Sequence, residues 1–151
     1  MSLPVTTALS FAAALVLAAG IAVAGPGRGE GWLSDQSEIE EAVSDATHIR
    51  GRVDGSDEIE YHSADGEVAY LWDGCLWSGT WWVEEARLCY AYPSLSGDAA
   101  HCFFLREGPA GLEYWSVDEQ NANQPLAWVK SKLDGNAKDL AMNSSGRCRD
   151  I

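Results

Sequence analysis

A mainly β fold, a single antiparallel meander barrel preceded by one short amphipathic helix, follows from three features of this chain. From Ile59 onward apolar and polar residues alternate with period two. Turn signals punctuate that alternation at roughly ten-residue spacing, as in all-β domains. Seven or so short strands in one small domain must also hide their edges, and closing the sheet into a barrel does so completely. A two-sheet sandwich satisfies the same pattern and is the alternative.

The chain has 151 residues, and its first charged side chain is Arg28. The uncharged stretch from Leu3 to Ala24 contains an apolar run, Leu9 to Val23, of the length of a secretory h-region. Ala22-Val23-Ala24 ends it as a small-x-small cleavage signal, which makes residues 1–24 a signal peptide. No Lys or Arg precedes the run, so a retained membrane anchor is the competing reading. Residues 25–33, opening on "GPGRGEG", read as a flexible lead. From Ser34, which can cap, acidic residues fill a first turn and Ile39, Ala42, Val43 and Ala46 fall on one helical face. A helix of about Asp35 to Ala46 is too short to stand alone, so its apolar stripe must dock on the sheet.

After Thr47 the strands begin. Ile59 and Tyr61 alternate with charges, "SADG" at 63–66 turns, Val68, Tyr70 and Trp72 alternate, and "DG" at 73–74 turns again. Trp81 and Val83 come next, followed by Leu88, Tyr90 and Tyr92, and then by His101, Phe103 and Leu105. "LEYWSV" after the "GPAG" break and "LAWV" at 126–129 complete the series. The helix-plus-barrel domain spans 34–140, and a polar tail, 141–151, follows it.

Four cysteines, an even number in an exported chain, read as two disulfides. If the loop from Pro93 to Asp98 joins its strands symmetrically, Cys89 faces Cys102 across an antiparallel pair. Cys75 then meets Cys148 by elimination, tying the tail to the barrel. In the chain-entropy model the short loop contributes about 3 kcal/mol and the long one nearer about 4.5 kcal/mol.

The series "YHSADGEVAYLWDG", "GTWWVEEARLCYAYP", "HCFFL" and "KLDGNAKDL" resembles small exported proteobacterial domains of unknown function with a GtW…lCy…C pattern. The likeness covers about residues 33–140, and a Gly-x-Trp near a strand start is also similar to lipocalin-like and protease-inhibitor-like small β-barrels. It implies that Gly79, Thr80 and Trp81 form the GtW element and that Cys89 and Cys102 form the family disulfide. Cys75 and Cys148 depart from the two-cysteine pattern, and the likeness brings no activity with it.

Function is less constrained. Ten basic against 23 acidic residues give a net charge of −13, which opposes binding to nucleic acid and attracts a cationic protein or peptide. Residues 74–93 hold three of the seven tryptophans. Alternate strand residues face opposite ways, so Trp81 and Trp82 cannot share one core. Filled small barrels account for most of the tryptophans, and Trp77, Trp82 and Trp115 are the candidates for a binding surface. His48, His62 and His101 lie in separate segments with no nucleophile or metal motif around them, and they read as structural. The acidic stretch "DGSDEIE", with Asp54, Asp57, Glu58 and Glu60, lacks EF-hand spacing and reads as a solvated turn, so no metal and no cofactor is expected.

The favoured reading is a non-catalytic, acidic binding or accessory protein of the cell envelope, with inhibition of a cationic hydrolase as one form. The alternatives are a lipocalin-like carrier of a small apolar ligand, against which the tryptophans argue a filled interior, and an enzyme of unrecognised type. The location expected is periplasmic or secreted, or membrane-anchored if residues 3–24 are retained. Mass spectrometry of the exported protein should find its amino terminus at Gly25, whereas Met1 recovered in a membrane fraction would identify an anchor.

Overall fold

The structure, a computed structural model, describes residues 29–117 and 123–148. The expected signal peptide lies outside the described residues. Helix α1, Gln36–Val43, leads into eight antiparallel strands: β1 Ala46–Arg52, β2 Asp57–His62, β3 Glu67–Trp72, β4 Cys75–Glu84, β5 Arg87–Ala91, β6 Ala100–Gly108, β7 Gly111–Ser116 and β8 Ala127–Asp134. Each pairs with its successor, and β8 returns to β1, so the meander closes into a barrel. A one-turn helix, α2, Pro93–Ser96, lies in the β5–β6 connection.

A ninth strand, β9, Ser145–Cys148, extends the barrel wall. Strand β4 is long: residues 75–80 pair with β3, but only 80–84 pair with β5. The uncovered edge of its first half takes β9, with Cys75 opposite Cys148. The polar tail is therefore partly a strand. Disulfides join Cys75 to Cys148 and Cys89 to Cys102, each at a directly opposed strand position. Both bridges are consistent with an oxidising compartment.

The helix is shorter than its periodicity suggests. Asp35, not Ser34, is its N-cap, accepting from the Ser37 backbone N–H at 2.8 Å. The helix stops at Val43, because Asp45 adopts a left-handed backbone and Ala46 already belongs to β1. Part of the expected flexible lead is also paired. Leu33 N–H donates to the Leu105 carbonyl at 3.0 Å, Glu107 N–H donates to the Gly31 carbonyl at 2.7 Å, and Trp32 bridges Arg106. These bonds continue the sheet along β6.

The barrel has two unlike ends. Around the β2–β3 and β4–β5 turns it is packed solid: Ile39 and Val43 of α1 are completely buried with Val68, Leu88 and Leu105. Trp81, only 7% exposed, closes this core and donates its indole N–H to the Ser63 carbonyl at 2.9 Å. Trp82, the next residue, is half-buried on the outer face beside Glu84. The Gly of "GTW" also has a reason, since a β-carbon at Gly79 would collide with the Ala91 carbonyl oxygen and crowd the Tyr92 ring.

At the other end the period-two pattern of β1 and β2 is turned inside out. Ile59 and Tyr61 face outward, and the buried set on β2 is Glu58, Glu60 and His62. On β1 the buried side chains include His48 and Arg50. The charges are tolerated inside because they pair with one another and with phenol hydroxyls. Tyrosines, not tryptophans, fill most of this half.

Truncation should separate the adjacent indoles. Trp81→Ala should cost about 3–5 kcal/mol by leaving a cavity in the packed end, and Trp82→Ala less than about 1 kcal/mol. Urea unfolding of the two variants measures the difference, and equal losses would show that Trp82 is packed as firmly as Trp81.

Candidate functional site

The polar end of the barrel contains one connected network centred on Arg50. Its Nε lies 2.8 Å from Glu58 Oε1 and its Nη1 lies 2.8 Å from Glu60 Oε2. Arg52, two residues further along β1 toward the rim, reaches Glu58 Oε2 at 3.0 Å. Tyr70 donates to Glu58 at 2.6 Å and Tyr92 donates to Glu60. The network continues inward. His62 Nε2 lies 2.8 Å from the Tyr90 hydroxyl and 3.2 Å from Glu60 Oε2, and His48 Nδ1 lies 3.1 Å from the Tyr114 hydroxyl.

Local backbone geometry aims these groups. Strand β8 carries an extra residue between Val129 and Ser131 where β1 passes from Ile49 to Arg50, a bulge beside the central guanidinium. Bulges of this kind re-aim side chains next to functional sites. Arg50 also sits 4.5 Å over the Tyr114 ring, so an aromatic face covers the part of the guanidinium that the carboxylates leave free.

Burial and pairing set the protonation states. Burial by itself would raise the Glu60 carboxyl, but Arg50 and His62 outweigh it and hold it at about 2. Burial would likewise lower Arg50, yet Glu60 and Glu58 raise it well above its ordinary value. Burial and Glu60 push Tyr90 and Tyr92 far up, and burial pushes Tyr114 up to about 12. Burial, with Arg50 and His62 nearby, drops His48 to about 3. The buried nitrogens His48 Nε2 and His62 Nδ1 have no hydrogen-bond partner among the described residues.

Above the network lies a cavity of about 270 Å³. Its floor is the Arg50, Glu58 and Glu60 cluster, and its walls are the rings of Tyr70, Tyr90, Tyr92, Tyr114 and Phe103. Val53 and Leu95, on the β1–β2 turn and α2, form its rim together with Leu126. Val53 is 50% and Leu95 42% exposed, and among the described residues they are the large hydrophobic side chains most open to solvent. His101, opposite Tyr90, also lines the opening. The interior is thus filled at the α1 end and hollow at this one.

The three tryptophan candidates do not converge. Trp77 faces inward, stacked on Tyr70 at 5.9 Å across β3–β4 and touching the core. Trp115 lies outside on β7, edge-on to Trp32 at 5.4 Å, with its N–H donated to Glu113 at 3.0 Å. Trp82 is outside on β4. None of the three lines the cavity. The acidic stretch at 54–60 is split in the same way, because Asp54 caps Ser56 in a surface turn whereas Glu58 and Glu60 point into the barrel. Two of the scattered histidines do meet, with the His48 and His62 rings 5.2 Å apart. The sequence signal that could have found this site was the row of ionisable residues on alternate positions of β2, paired with a similar row on β1.

No protein-family model, curated protein or solved structure matches the chain. Fold and site therefore define a class only: a small, closed, disulfide-bridged antiparallel barrel with one packed end and one hollow, charge-paired end.

The network fixes a pH dependence. His48 takes up a proton near pH 6.5 when unfolded but only near 3 when folded, so its stabilisation is complete above about pH 6.5 and is lost as pH falls toward 3. Glu60 has the same sign, with stabilisation complete above about 4.5 and lost toward 2. Between pH 7 and 5 the native protein should lose about 2 kcal/mol more unfolding free energy than His48→Gln. Parallel losses in urea titrations would clear His48 of this role.

Proposed function

We propose that this protein is a non-catalytic binding protein of the cell envelope or its exterior that holds a small molecule in the hollow end of its barrel. The observation that carries this reading is the juxtaposition of an apolar rim with a buried, hydrogen-bonding floor around one cavity. Ligand sites combine apolar walls with a few placed polar groups in this way. Val53 and Leu95 leave about half of their surface open at the rim, and contact with a ligand would cover it.

The protonation states favour binding over catalysis. Glu60 and the three tyrosines Tyr90, Tyr92 and Tyr114 are all moved away from neutrality, whereas general acid–base work needs groups poised near the working pH. They are fixed hydrogen-bonding partners. The carrier reading is modified on one point: a floor of three charged side chains, with Arg52 beside it, suits a ligand with a polar end, not a wholly apolar one. A cationic protein partner on the acidic exterior remains a second, separate reading, supported by the net charge and by half-exposed Trp82.

Native mass spectrometry of the exported protein, purified without denaturation, should reveal one small molecule per chain that is lost on acid unfolding. Leu95→Trp, a rim substitution at an exposed position, should reduce its occupancy at least about tenfold without moving the melting curve. Recovery of a salt-sensitive protein partner dependent on Trp82, with no small molecule present, would replace this reading with the second one.

A further inference from the structure

The chemistry of the cavity restricts what it can hold, and the restriction rests on the binding reading above. The four charged side chains of the mouth, Arg50, Arg52, Glu58 and Glu60, sum to zero, and they are already joined by contacts of 2.8, 2.8 and 3.0 Å. Arg50, Glu58 and Glu60 are each less than 10% exposed. A carboxylate or phosphate entering the floor would have to take Arg50 from Glu60, leaving that buried anion without a guanidinium partner, or from Glu58, leaving it with Arg52 alone. An ammonium would have to take Glu60 or Glu58 from Arg50, leaving a buried guanidinium with one carboxylate in place of two. Breaking a buried pair in either way is strongly unfavourable. A group carrying both donors and acceptors but no net charge can bond to the paired ions without separating them.

The walls add a shape. Tyr90 and Tyr92 stand nearly parallel, 12° apart with centroids 5.9 Å from one another, and Tyr70 lies 5.5 Å from Tyr92. Flat faces of this kind favour flat partners. An apolar cavity of about 150 Å³ accommodates benzene, so about 270 Å³ has room for one ring and its substituent. We infer that the hollow end selects net-neutral ligands with a single planar ring and a hydrogen-bonding head, such as an amide, urea or hydroxyl, set against the Arg50, Glu58 and Glu60 floor.

The test uses the full exported chain with both disulfides intact and three probes of one size: benzamide, benzoate and benzylammonium, at pH 7 and fixed ionic strength. Binding is read from NMR shifts of the Val53 and Leu95 methyl groups and the Tyr70 and Tyr92 rings. Benzamide should bind at least about tenfold more tightly than either ion. In Arg52→Gln, whose mouth carries one net negative charge, benzylammonium should gain on benzamide by about threefold or more. Equal or tighter binding of benzoate or benzylammonium to the native chain, or an unchanged order in Arg52→Gln, would overturn selection by charge balance while leaving the mouth a binding site. Absence of shifts with all three probes would remove the mouth as a ligand site, and the inference with it.

Discussion

The burial of Arg50 between Glu58 and Glu60 is the constraint on which the rest of the barrel depends. The guanidinium of Arg50, a residue only 6% exposed, must be paired from several sides, and each partner must in turn be satisfied. Glu58 draws on Arg52 and Tyr70, Glu60 on His62 and Tyr92, and Arg50 lies against the Tyr114 ring. These partners come from four strands, β1, β2, β3 and β7, and from Tyr92 just past the end of β5. Such a network is satisfied only when all of those strands are in register, because a half-satisfied buried polar cluster is worse than an apolar one. A one-residue slip of β2 would send Ile59 and Tyr61 inward and the carboxylates outward. Hydrophobicity alone would reward that slip. Pairing with Arg50 opposes it, so the ion cluster contributes to uniqueness of register more than to net stability.

Stability resides at the opposite end. Ile39, Val43, Val68, Leu88 and Leu105 bury their side chains completely around Trp81, and α1 covers what would otherwise be a second opening. The disulfides reinforce the wall at two places: beside the β5–β6 connection, and where β5 falls short and β9 takes over the edge of β4. With one end packed and the wall cross-linked, the other end can remain hollow without the domain losing its core.

Much of the wall was legible in the sequence and much of the interior was not. "SADG", "DG" and "GPAG" mark three turns, and the register implied by the cysteines is the register of β5 and β6. Period two identifies a strand but does not say which of its two faces is buried. On β1 and β2 the usual assumption, apolar inward, fails because the mates of Glu58 and Glu60 lie on strands far along the chain. Tyr70 and Tyr92 are ordinary alternating aromatics until the barrel closes. The β4–β5 turn was silent for a different reason: Glu85 and Ala86 both take left-handed backbone conformations usually given to Asn and Gly. Residues 31–33, read as part of a lead from their glycines, pair with β6 through backbone groups, which side-chain patterns do not report.

Acidity and the cavity are separate features, and separating them changes what each implies. Glu58 and Glu60 belong to the excess of acidic residues, yet inside the barrel they are balanced by Arg50 and Arg52, so the charge of −13 is carried by the rest of the chain. An anion approaching the mouth meets repulsion from that acidic chain and finds no unpaired cation in the floor. A cation is attracted outside but finds the interior carboxylates already taken. The long-range field therefore favours cationic partners at the surface, while short-range pairing favours neutral ones in the mouth. Outer face and cavity thus differ in the charge they present, and the acidic composition that dominates the sequence says nothing about the charge balance of the cavity.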